Sequence, residues 1–88
     1  MIYVDEPIYA RAGVKKPRTL YAHMVADTFS ELHEFAAKIG VRRHFFHKSK
    51  AAHHYDINGT QWYKAIIAGA KQVSSKEIVK IGKKLTGE

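Results

Sequence analysis

The chain contains no cysteine. That rules out disulfides, thiolate zinc sites and cysteine-held iron–sulfur clusters. Long apolar runs are also missing: Ala65 to Ala70 is the longest, far short of the roughly 20 residues a spanning helix needs, so no membrane partner is expected. The first residues, Met1-Ile2-Tyr3-Val4-Asp5, hold no positive charge and reach an acid at once, unlike a signal peptide. A cytoplasmic location is the expectation. No internal repeat or low-complexity tract occurs, and there is no H-E-x-x-H, no glycine-rich phosphate loop and no Ser-His-Asp signature. At 88 residues the chain has room for one hydrophobic core, so a single domain over 1–88 is expected, its stability marginal unless copies associate into a homo-oligomer.

What the chain does have is charge and histidine. The net charge is +7 and six histidines are present. A basic balance favours anionic partners. The densest polar stretch is His53-His54-Tyr55-Asp56, preceded by His44, His47, Lys48 and Lys50.

Ile2–Val4 and Thr19–Val25 have the apolar, period-two character of strands, separated by a basic loop with Pro7, Arg11, Gly13, Lys15, Lys16, Pro17 and Arg18. Thr28-Phe29-Ser30-Glu31 has capping-box spacing. Phe29, Leu32, Phe35, Ala36 and Ile39 continue it at helical period, and Gly40 stops the helix. Val41–Phe46 reads as a third strand and 47–57 as a histidine-rich loop. A second helix starts near Asn58 with Trp62, Ala65 and Ile66 inward, Gln72-Val73 forms a minimal strand, and a third helix carries Ile78, Ile81 and Leu85. The order β-β-α-β-α-β-α predicts a small α/β fold, a mostly parallel sheet with about three helices.

Open parallel sheets collect ligands beyond the carboxyl ends of their strands. Asp5, His23, Asp27, His47, His53, His54 and Asp56 would then gather along one edge. Two aspartates with several histidines could hold a divalent metal, for which His53, His54 and Asp56 are the candidates. A histidine beside a carboxylate could equally move protons, or simply tie loops together. Donors for a phosphate come from the histidines, from the helix start near Asn58 and from Arg11, Lys15, Arg18 and Lys48, while Tyr55 could stack on a base. Lys76, Lys80, Lys83 and Lys84 share one side of the last helix, ordinarily a solvated face.

The chain also resembles an uncharacterised family of short bacterial and phage proteins known only as a domain of unknown function. The matching stretches are Met1–Asp5, His23-Met24-x-Ala26-Asp27-Thr28, Glu31-Leu32-His33-x-Phe35-Ala36, Ile39-Gly40-Val41, His54-Tyr55-Asp56-Ile57 and Ala65-Ile66-x-x-Gly69-Ala70. The resemblance implies no activity. It favours Asp5, His23, Asp27, His54, Tyr55 and Asp56 as site positions over His33, His44 and His47. One departure is Asn58-Gly59-Thr60, where family members carry a Thr, Pro or Ser and a basic residue.

The expected function is binding of a phosphate-bearing ligand, most simply a nucleotide, by a non-enzymatic protein that in a phage setting would sequester a host signal. Two alternatives stand beside it. One is a metal-dependent phosphoesterase or nuclease, which alone requires a cofactor. The other is a basic adaptor for nucleic acid or a host protein.

Overall fold

The computed structural model describes residues 1–9, 20–48 and 52–86. Arg11, Lys15 and Arg18 lie outside the described residues. Strands β1 (Ile2–Val4), β2 (Ile8–Tyr9) and β3 (Leu20–Ala26) are followed by helix α1 (Phe29–Lys38). A 3-10 turn (Arg43–Phe45), β4 (Phe46–His47), β5 (His54–Asn58), α2 (Gly59–Ile67), β6 (Lys71–Gln72) and α3 (Ser75–Thr86) complete the order. The sheet runs β4-β5-β3-β1-β6, with β2 also pairing β3.

The helix starts follow their sequence signals. Thr28 Oγ1 accepts from the Glu31 amide. Asn58 and Gln61 form a reciprocal capping box at α2, and Ser74 Oγ accepts from the Glu77 amide at α3. Each bond satisfies an amide that has no partner inside its helix. Gly40, at φ 80°, supplies the left-handed residue that ends α1.

The small α/β fold and its three helices match the expectation, but the sheet is mostly antiparallel. Among the described residues only β1 and β6 pair in parallel; β1–β3, β2–β3, β3–β5 and β4–β5 are all antiparallel. The helices do link strands that point the same way: α1 joins β3 to β4, and α2 joins β5 to β6. Those strands are not neighbours: β5 lies between β3 and β4, and β3 and β1 lie between β5 and β6. Alternation of helix and strand reports crossover direction and says nothing about which strands sit side by side. Within the proposed strand Val41–Phe46, Arg43–Phe45 form a 3-10 turn and only Phe46 is in a strand, β4, and the proposed histidine loop contains β5, the strand next to the sheet's centre.

The even-numbered positions of β1 and β3 face one side, where Ile2, Val4, Ala22, Met24 and Ala26 join Tyr55 and Ile57 of β5. Leu32 and Ala36 of α1 and Ala65 of α2 close over them, with Phe35, Trp62 and Ile66 packed at the margin. The opposite face carries Tyr3, Tyr21, His23, Val25, His54 and Asp56 by the same alternation. Helix α3 lies on that face: a Cβ on Gly82 would come within 3.4 Å of Val25 Cγ1 and 2.8 Å of Ala52 Cβ. The glycine permits this approach, and the Gly82 carbonyl accepts from the His53 amide at 3.4 Å.

Candidate metal centre

Three neighbouring strands put polar residues in one row beneath the edge of α3. His23 pairs directly with Asp56 across β3 and β5. The Asp5 amide donates to the His23 carbonyl at 3.2 Å, extending the β1–β3 ladder by one residue. Antiparallel register thus sets Asp5, His23 and Asp56 side by side, and the next row adds His54 and its partner His47. Residues from four parts of the chain meet mid-face rather than at a sheet edge.

Asp5 organises one side. It is the buried charged residue of the core, 3% exposed. Its Oδ1 accepts from the His23 amide at 2.7 Å, and its Oδ2 lies 2.8 Å from His23 Nδ1. The Ser75 hydroxyl of α3 donates to the same Oδ2 at 3.4 Å, while Trp62 Nε1 of α2 donates to the Asp5 carbonyl at 2.8 Å. The carboxylate therefore fixes the His23 ring with Nδ1 protonated and Nε2 turned toward Asp56, 3.9 Å from its Oδ1.

His54 is set in the same way by a different partner. Its Nδ1 donates to the Ala52 carbonyl at 3.0 Å, and its Nε2 approaches Asp56 Oδ1 at 3.2 Å. His47 Nε2 reaches the other Asp56 oxygen at 2.8 Å. The bond to Asp5 raises the His23 pKa above its ordinary value against the opposing effect of burial. The bond to Asp56 does the same for His54. Burial pushes the Asp56 carboxyl up, but the His54 bond and the charges of His54, His47 and His23 hold it below the usual value.

The donor set fits a divalent transition ion. Ligand atoms of His23, His54 and Asp56 all lie within 4.8 Å of one another. Two imidazole nitrogens and one carboxylate suit zinc, iron, manganese or cobalt better than magnesium or calcium. Each of these two histidines passes its other ring N–H to a carboxylate or a backbone carbonyl, the outer support expected of a metal-ligating imidazole. The centre is open: the side chains of His23 and His47 are about half exposed. A shallow cleft lined by Glu6, Gln72, Val73, Ser74 and Ser75 lies beside it on the Asp5 side.

The remaining site candidates lie elsewhere. Asp27 follows β3, and because β3 runs against β1 it lands at the far end from Asp5. There it meets the Met1 amino group at 3.4 Å and the Tyr3 hydroxyl at 3.3 Å, beside the Met1–Glu31 ion pair. Tyr55 points to the core at 1% exposure, its hydroxyl 2.8 Å from His33 Nδ1. Between His54 and Asp56 on a strand it must face the other way. His53 also turns away, its ring 5.4 Å from Phe29 and 5.9 Å from Phe46. Lys48 is exposed just past β4.

His47 is the residue the resemblance put aside and the fold brings in. The signal for it was its place at the end of a strand, one hairpin before His54. A match to a sequence family covers almost all of these positions: residues 2–85 fit the family described as protein of unknown function DUF4031. The chain belongs to this family. Asp5, His23, His47, His54 and Asp56 all fall within the DUF4031 match. No curated protein and no solved structure matches the chain.

Proposed function

We propose that this protein is a metal-dependent phosphoester hydrolase whose centre is His23 Nε2, His54 Nε2 and the Asp56 carboxylate, with His47 as an exchangeable fourth ligand. The observation that carries the reading is the paired outer support: Asp5 holds His23 and the Ala52 carbonyl holds His54, so both Nε2 atoms converge on one carboxylate. Structural metal sites are closed, whereas catalytic ones keep a position free, and the exposure of His23 and His47 leaves room for water and substrate. A bound ion of this class supplies a hydroxide at neutral pH and neutralises charge on a phosphoryl oxygen. The chain's own residues then have simple tasks. Asp5 keeps Nδ1 of His23 protonated and its ring in place. Ala52 does this for His54. Asp56 supplies the negative charge. His47, whose Nε2 rests on the other Asp56 oxygen, would leave that oxygen to take the fourth position and would give the position up to substrate.

Titration calorimetry with zinc, manganese and cobalt tests the centre, and release of nitrophenol from bis(p-nitrophenyl) phosphate tests the chemistry. One metal per chain is expected, with protons released on binding and turnover that disappears in His54→Ala. Absence of heat with all three ions in chelator-stripped protein would refute the metal centre.

A second reading, a nucleotide-binding protein that retains its ligand unaltered, uses the same surface. It is favoured by one observation: both carboxylates of the cluster, Asp5 and Asp56, are already engaged by histidines, so neither is free to take a proton from water. Stoichiometric recovery of intact nucleotide with each metal would select it.

A further inference from the structure

We infer that Trp62 is a positioning residue for the centre: its indole N–H holds the Asp5 carbonyl out of the sheet, and that turn brings the Asp5 carboxylate onto His23. The inference rests on the metal-centre reading, for which it names a residue outside the ligand set.

Asp5 and His23 are the next pair after Val4 and Met24 in the β1–β3 register. The Asp5 amide donates to the His23 carbonyl at 3.2 Å, which makes them a hydrogen-bonded pair. In such a pair the second bond runs from the His23 amide to the Asp5 carbonyl. Here the His23 amide donates to Asp5 Oδ1 instead, at 2.7 Å. The side chain has taken the place of its own main-chain carbonyl. The carboxylate is thereby anchored in the ladder, with Oδ2 2.8 Å from His23 Nδ1.

The room for this exchange comes from a change of register. Val4 pairs with Met24, and Ile8 pairs with Tyr21. Four steps along one strand thus match three along the other, so one extra residue lies between β1 and β2. That is a bulge, a feature that bends a strand and re-aims a side chain. Pro7 falls within it, a position where a residue without an N–H is tolerated.

A carbonyl turned out of a ladder needs another donor, since an unpaired polar group away from water is costly. Trp62 Nε1 supplies one from α2, at 2.8 Å. An indole offers this one donor and no acceptor, and Trp62 is packed against the core, which fixes the aim of its N–H. Without that donor the Asp5 carbonyl would turn back to the His23 amide. It would expel Oδ1 from the ladder and release the His23 ring.

Trp62→Phe keeps an aromatic ring against the core and removes the donor. Because the chain has a single tryptophan, biosynthetic replacement with benzothienylalanine removes the same N–H at nearly unchanged shape, and it serves where the phenylalanine variant does not fold. Long-range 15N–1H spectra of the metal-free protein, at about pH 8.5 where imidazole is ordinarily neutral, read the His23 tautomer. Wild type should show Nδ1–H alone, and both replacements a mixture with Nε2–H. Titration with zinc against a competing chelator should show affinity weakened by about 10-fold or more, with no further weakening when Trp62→Phe is added to Asp5→Asn. A merely structural role would lower stability and leave the tautomer unchanged, and any loss of affinity would add to that of Asp5→Asn. An unchanged tautomer or additive losses overturn the inference. Wild-type protein that binds no zinc would refute the metal centre, while the His23 spectrum would still decide the part played by Trp62.

Discussion

Strand β5 offers two environments one residue apart. On one side, Tyr55 and Ile57 are shut into the core under α1 and α2. On the other, His54 and Asp56 meet His23 and His47 in the open. The apolar side is held by area removed from water and tolerates little change of volume. The polar side is held by charge-assisted bonds among half-exposed groups, which contribute modestly to stability and strongly to what can bind there. A five-residue strand thus separates buried apolar from polar side chains by alternation alone, and a one-residue slip in register would exchange the two sets.

The largest break in that contrast comes from the core side. Tyr55→Ala should destabilise the fold by about 3–5 kcal/mol, read as a lower urea midpoint. Asp56→Asn next to it should leave the unfolding free energy of the metal-free protein within about 1 kcal/mol of wild type while abolishing the calorimetric signal for metal. Equal losses of stability in the two variants would erase the distinction between the faces.

Asp5 has a foot on both sides, and Asp5→Asn sharpens the comparison. Loss of its charge from His23 Nδ1 should weaken metal affinity by about 10–100-fold, roughly 1.4–2.7 kcal/mol, by titration against a competing chelator. Unchanged affinity would show that His23 is not held for a metal.

Gly82→Ala drives a methyl group into Ala52, whose carbonyl aims His54. A cost of about 1–3 kcal/mol in stability is expected from the overpacking, together with weaker metal binding. Stability lost with no change in affinity would separate the seat of α3 from the aim of the imidazole.

The smallest effect is one of pH. His23 and His54 have raised pKa values in the folded state, so without metal their contribution to stability is fully present below about pH 6.5. It fades as pH rises through the folded values. His33 works in the opposite sense, since burial, aided by the Arg43 charge, lowers its pKa. Its contribution is present above about pH 6.5 and fades as pH falls through its folded value. In a His33→Gln background the metal-free protein should therefore melt higher at pH 6 than at pH 8. Zinc should reverse that order, because metal displaces the same protons. The same order with and without zinc would place the metal elsewhere.

Much of this molecule could be read along the chain. The capping signals at Thr28, Asn58 and Ser74 are local chemistry, and each marks a helix start. The polar candidates Asp5, His23, His54 and Asp56 do come together. The reason they do so was not legible. Parallel strands would have delivered Asp5 and Asp27 to one edge, whereas antiparallel pairing of β1 with β3 sends them to opposite ends and puts His23 beside Asp5 instead. Which strands become neighbours depends on long-range pairing that no local window contains. Tyr55 was misjudged for a related reason. A run of His-His-Tyr-Asp looks uniformly polar in a loop, but on a strand every second residue is inward, and the phenol ring fills the core with its hydroxyl bound to His33. His47 was among the residues expected to gather with the others from its place at a strand end, and it was the resemblance that ranked it below them.

The ties of Asp5 also make its setting depend on distant parts of the chain. Trp62 and Ser75, which lock its carbonyl and its carboxylate oxygen from two different helices, lie 57 and 70 residues away in sequence. The support of His23 is therefore complete when both α2 and α3 are docked. Undocking of α3 alone would release one hold on the carboxylate while the strands that carry His23 and Asp56 stay paired.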